Sequence, residues 1–182
     1  MSNEPIQKLL SAPELAESIT LEHLGIRWQM LPQAEYRIAA RVLQSTQYDD
    51  WQAAFAPIDL ALGWGIIGDP QIDKWIDWRQ SDRWYYYRLH RRFGKVPLSQ
   101  EYVIEHSANV HVIPANDDVA AGLHHLQAND LVFLEGMLVD VVVNDGHAIR
   151  KYSTSLTRAD EGDASCEIMY VERLVTTGSE HR

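Results

Sequence analysis

An internal disulfide is excluded at once, because the chain holds a single cysteine, Cys166, and with it goes any cysteine-rich metal site. That usage fits a reducing compartment, although exported proteins without disulfides exist. Long apolar runs are missing as well: none approaches the roughly 18 residues a membrane-spanning helix needs. The start, Met1-Ser2-Asn3-Glu4-Pro5, lacks the basic region and apolar core of a signal peptide. A soluble, cytoplasmic protein is the expectation, with an exported form whose signal has been trimmed as the alternative. Positive charge is scarce. Sixteen Lys and Arg against 26 Asp and Glu leave a net charge of −10, which disfavours nucleic acid and anionic membrane surfaces as general partners. There is no phosphate-cradling glycine loop, no nucleophile elbow and no HExxH; Gly63-Trp64-Gly65 is too short and its neighbours too bulky. The histidines stand at unrelated spacings, His124-His125 being adjacent rather than four apart, so neither a metal site nor a cofactor is expected.

What is present is ordinary globular material, 46% apolar over 182 residues, enough for one sizeable core. All six tryptophans lie in the first half, and the second half is rich in Val, Ile and Leu. Residues 1–12 are polar and expected to be loose, with one globular domain over 13–178. Ser11 ahead of Pro13 and Glu14 reads as a helix start, and that helix would run to Leu24 and stop at Gly25. Tyr36, Ile38, Ala40 and Val42 alternate with Glu35, Arg37, Ala39 and Arg41, the period of a half-buried strand. Asp73–Arg79 reads as a short helix and Trp84–Leu89 as a strand. His106–Ile113 reads as a strand ending at Pro114. Asn116 then caps a helix over Asp117–Leu126 whose first-turn aspartates suit the helix dipole. Leu131–Val143 is a long apolar run broken at Glu135-Gly136, and Asn144-Asp145-Gly146 is a hairpin turn. Strands follow strands, so the expected class is α+β: a mainly antiparallel twisted sheet or partial β-barrel with several short helices.

Three segments carry candidate chemistry. Residues 74–95 hold seven basic side chains against two acids, a local +5 in a chain whose remainder is −15. Arg79, Arg83, Arg88, Arg91 and Arg92 are interleaved there with aromatics including Trp84 and Tyr86. Arginine forks grip carboxylates and phosphates while aromatic faces stack; the bland account is pairing with the protein's own acidic surface. The second segment is Ser107–Pro114. On a strand Ser107, Asn109 and His111 share one face, and a His with polar neighbours suits acid–base work near neutral pH. The third is Ser153–Glu167, where Ser155 and Arg158 are polar candidates. Its acidic loop lacks the ligand alternation of a calcium-binding loop, and Cys166 reads as a small buried apolar residue rather than a nucleophile.

Asp59–Gly65, Arg83-Trp84-Tyr85, Ser107–Pro114, Gly136–Val139, Ser155–Asp160 and Cys166-Glu167 together resemble segments of an uncharacterised bacterial protein family. The resemblance runs from about residue 28 onward and implies one domain and a bacterial source, with no activity attached. The functional expectations therefore rest on the residues. The first is a non-enzymatic binding or accessory protein that recognises a protein partner through the basic-aromatic face. The second is a small hydrolase-like enzyme with a site built from Asn109, His111, Ser155 and Arg158. The third, set back by the acidic total, is single-stranded nucleic-acid binding. Self-association is common enough that a homo-oligomer is within expectation.

Overall fold

The computed structural model describes residues 4–9, 18–23, 25–90, 98–157, 166–177 and 179–182. Its frame is β3 (Ile26–Gln47), a 22-residue strand in which buried and exposed side chains alternate from Ala34 to Ala40. On one side β3 pairs with β4 (Ile58–Gly63), and β4 with β7 (Ser107–Pro114), both antiparallel. The next neighbour, β10 (Glu167–Thr176), runs parallel to β7 and antiparallel to β8 (Leu131–Asn144). Because β8 returns to pair with β3 from Arg27↔Asn144 to Arg41↔Leu131, the ring β3-β4-β7-β10-β8 closes on itself. In strand number, closure and Greek-key connectivity this is the barrel architecture of OB-folds.

Period-two alternation decides what lies inside the ring. Leu60, Val110, Leu138 and Met169 point inward with Tyr36 and Ile38 and form the main core. One extra residue in β3, Gln33, shifts its register with β8 between Pro32 and Ala34. Beyond this bulge the sides exchange. Trp28 and Met30 meet Val139, Val141 and Val143 in a second cluster that also takes in Phe55. A third cluster lies under a separate two-stranded hairpin, β5 (Ile76–Ser81) and β6 (Trp84–Leu89), which packs Ile76, Trp78, Tyr85 and Tyr87 against Leu43 and Ala61.

The α+β expectation is overturned. The described chain is predominantly strand, its sheet is mixed through the parallel β7·β10 pair, and it contains two α-helices, α1 (Gln100–Glu105) and α2 (Asp117–His124). The helix expected over residues 13–24 fails where it is described: Ile19–His23 is β2, antiparallel to β3. Gly25, at φ +79°, makes the tight turn between them, and ladder pairing with a long strand outweighs a local cap signal. Asp73–Arg79 is not a helix either. Pro70–Lys74 is a 3-10 turn capped by Asp69, and the alternation of Ile76, Trp78 and Gln80 with Asp77 and Arg79 continues as β5. The Asn116 side chain accepts a bond from Val119 N at 3.1 Å and so caps α2. Short edge strands β1 (Ile6–Leu9), β9 (Ile149–Tyr152) and β11 (Ser179–His181) complete the sheet. Among the described residues no helix is long and apolar enough to cross a membrane.

Candidate functional site

Since Leu60, Val110 and Met169 face the core, their strand neighbours face outward. Asp59 on β4 sits directly opposite His111 on β7, and His111 opposite Ile168 on β10. Asn109 lies two residues from His111, beside Cys166 at the entry to β10. Four polar side chains thus share the outer face of three adjacent strands. Two elements cover them. The 3-10 turn Trp51–Ala54, capped by Asp50, brings in Phe55 and Ala56. The β5–β6 hairpin lies across the strands: Gln80 Nε2 donates to Asn109 Oδ1 at 2.7 Å, Asn109 Nδ2 donates to Arg83 O at 3.0 Å, and the Tyr85 and Ser107 hydroxyls are 3.2 Å apart. A cavity of about 460 Å³ remains, with His111, Cys166 and Ile168 in its wall, Trp84 from the hairpin on one side, and Phe55 and Tyr152 on the other.

Asp59 anchors the electrostatics. Its side chain has no solvent exposure, and a buried carboxylate is costly unless paired. Oδ1 lies 2.8 Å from His111 Nδ1 and 3.3 Å from Arg83 Nη1, while Oδ2 is buried without a hydrogen bond among the described residues. Arg83 is itself fixed from several directions. Nη2 and Nε fork onto Asp50 at 2.6 and 3.1 Å, Nη1 donates to Ala56 O at 2.7 Å, and the guanidinium stacks over Tyr48 at 4.0 Å. Hydrogen bonding from Arg83 holds the Asp50 carboxyl below its ordinary range; burial pushes the Tyr48 phenol up, with the Asp59 charge adding to it.

His111 is the most perturbed group in the pocket. Burial opposes its charge, but the hydrogen bond to Asp59 and the carboxylate's charge, with the nearby Cys166 sulfur adding to them, outweigh burial and push the imidazole up to about 9. Its side chain is 19% exposed, enough to meet a ligand in the cavity. Asn109 Nδ2 lies 3.7 Å from Cys166 Sγ. Carboxylate and imidazole are in contact and the thiol lies on the same face, and among the described residues no group of three or more His, Cys, Asp or Glu is arranged to hold a metal ion.

Of the residues expected to build a hydrolase-like site, Asn109 and His111 come together. Ser155 does not join them: it is buried, its hydroxyl donates to Thr157 O at 2.7 Å, and its amide donates to Cys166 O. Arg158 lies outside the described residues. The basic-aromatic segment divides. Arg83 and Trp84 turn into the pocket, whereas Arg79, Tyr86 and Arg88 stay on the hairpin's outer face, Arg88 being 3.6 Å from Asp77. Arg91 and Arg92 lie outside the described residues. Sequence reasoning passed over Asp59, although a lone carboxylate inside the apolar run Ile58–Leu62, where both faces of the strand are buried, was a signal for it. Cys166 was read as a small buried apolar residue, and it is buried; its place beside Asn109, 57 positions away, had no signal in the sequence.

Fold and site together define a Greek-key barrel bearing a carboxylate–imidazole pair and a cysteine in an outer-face pocket. Comparison of the chain with protein-family models, with curated proteins and with solved structures finds no match to any of them.

Proposed function

We propose that the protein is a small cysteine-dependent enzyme of the acyl-transfer class, hydrolysing a thioester or activated ester. The observation that carries this reading is the Asp59–His111 pair, joined at 2.8 Å, in the same cavity wall as the Cys166 thiol. An imidazole oriented by a carboxylate and set against a thiol is the arrangement that activates sulfur as a nucleophile. In the proposed cycle the thiol gives its proton to solvent beside the His111 imidazolium, and Sγ attacks the carbonyl carbon, forming the C–S bond. The tetrahedral adduct collapses, the bond to the leaving group breaks, and the imidazolium protonates that group. A water then gives its proton to the imidazole and adds to the acyl-enzyme. The acid departs and the thiol is regenerated. Asp59 stabilises the imidazolium throughout, and Asn109 orients the sulfur.

OB-type barrels use this outer face and its flanking loops for oligonucleotides and oligosaccharides. A hairpin laid over the strands and a net charge of −10 disfavour a polyanion. The test is iodoacetamide labelling with mass readout, alongside hydrolysis of acyl thioesters. Native chain should be labelled at Cys166 and should turn over a thioester, while Cys166→Ala loses both and His111→Asn slows both by about a hundredfold or more. Equal rates in native chain and His111→Asn would sink the reading.

A second reading keeps the protein-partner expectation, favoured by Tyr86, 52% exposed and directly opposite Arg79 on the hairpin's outer face. Here an acidic partner would dock on Arg79, Tyr86 and Arg88. Capture by the native chain but not by a folded Arg79→Glu/Arg88→Glu double variant supports it, and equal capture by both ends it.

A further inference from the structure

We propose that the pocket selects a neutral aromatic acyl group, an inference that rests on the acyl-transfer reading for the chemistry but on the cavity walls for the specificity. Aromatic residues line the cavity from two separate elements. Trp84 comes from the hairpin. Phe55 and Tyr152, tilted against each other with centroids 6.4 Å apart, come from the 3-10 turn and the end of β9. The second wall is stiffened from behind, Phe55 by Trp28 at 6.3 Å and Tyr152 by Trp51 at 6.1 Å. Rings held this way offer a planar guest offset and edge contacts at little entropic cost.

Most charges that the described residues place around the cavity are paired. Arg83 is committed to Asp50 and Asp59, His111 to Asp59, and Lys151 to Asp140 at 2.8 Å; at the rim Asp82 accepts from the Ser81 hydroxyl and keeps its charge. An anionic acyl group would be repelled by Asp82 and would have to break one of these pairs to find a partner. A neutral guest disturbs none of them. The volume, about 460 Å³, accommodates a small ring with its ester linkage, at the lower end of the range for sites that enclose small molecules.

The experiment uses the full chain and four N-acetylcysteamine thioesters: acetyl, octanoyl, succinyl and phenylacetyl, with turnover followed by loss of thioester absorbance. The phenylacetyl ester should exceed acetyl and succinyl in kcat/KM by roughly tenfold or more. Trp84→Ala and Tyr152→Ala should each draw that ratio toward one, with Trp84→Leu replacing the alanine variant if it fails to fold. A succinyl or octanoyl value equal to the phenylacetyl value, or a ratio unmoved by both wall variants, overturns the inference while acyl transfer stands. If no thioester is turned over, acyl transfer falls, and calorimetric titration with phenylacetamide and succinamate decides the pocket. Saturable phenylacetamide binding that Trp84→Ala abolishes supports aromatic selection. No binding, or tighter succinamate binding, overturns it.

Discussion

At the scale of single residues, Asp59 decides most. With no exposure and one oxygen lacking a hydrogen bond among the described residues, it is tolerated because His111 and Arg83 share its other oxygen. Asp59→Asn keeps the shape and removes the charge, so the His111 titration, read by NMR of the ring nitrogens, should fall from about 9 toward its ordinary 6.5. Iodoacetamide labelling of Cys166 should slow with it. The same shift has a consequence for stability. A histidine raised from 6.5 to about 9 on folding holds a proton that the unfolded chain lacks between those values. Its contribution is full below 6.5 and is lost as pH rises through about 9, amounting at most to roughly 3 kcal/mol. Denaturant unfolding of native chain and His111→Gln should therefore diverge most near pH 6 and converge above pH 9. A gap independent of pH would contradict the linkage. In catalysis the imidazolium is the proposed proton donor to the leaving group, so kcat should decline on the alkaline side over the same titration.

At the scale of elements, two close fits hold the site's frame. A Cβ at Gly136 would stand 2.0 Å from Tyr170 O and 3.1 Å from Glu172 N, backbone atoms that cannot yield where β10 bulges. Gly136→Ala should thus part β8 from β10 and cost about 3 kcal/mol or more, measured by urea unfolding. This is why the apolar run Leu131–Val143 is interrupted there. The hairpin tip is the other. Asp82 and Arg83 both have positive φ, 55° and 69°, in a two-residue turn that favours Asn-Gly. The strain is held by the contacts of Arg83 with Asp50, Asp59 and Ala56. Arg83→Ala should destabilise by about 2–4 kcal/mol and loosen the hairpin, seen as faster amide exchange over β5 and β6 than over the barrel. The period-two strands and the Asn116 cap were legible because their causes are local. The strand identity of Ile19–His23 and of β5 was not, because helix-start and turn signals there lose to hairpin pairing with the strand that follows, β3 in one case and β6 in the other.

At the scale of the whole molecule, closure of the ring joins β3 to β8 across most of the chain, from Arg27↔Asn144 to Arg41↔Leu131. Such non-local pairing pays loop-closure entropy before it is rewarded, so stopped-flow refolding by tryptophan fluorescence should take milliseconds to seconds rather than microseconds. Composition determined on its own that no internal disulfide or cysteine cluster could contribute and that a polyanion would meet an acidic protein. Alternation along Ser107–Pro114 already placed Asn109 and His111 on one face, because the strand period is a local property. Only the tertiary structure decided what that face meets. Asp59 arrives by antiparallel pairing, Cys166 by the parallel approach of β10, and Arg83 by the folding-over of a hairpin. These three contacts span 52, 57 and 24 positions and depend on register between strands. Register is set by core packing and bulges across the whole sheet rather than by any residue near the site.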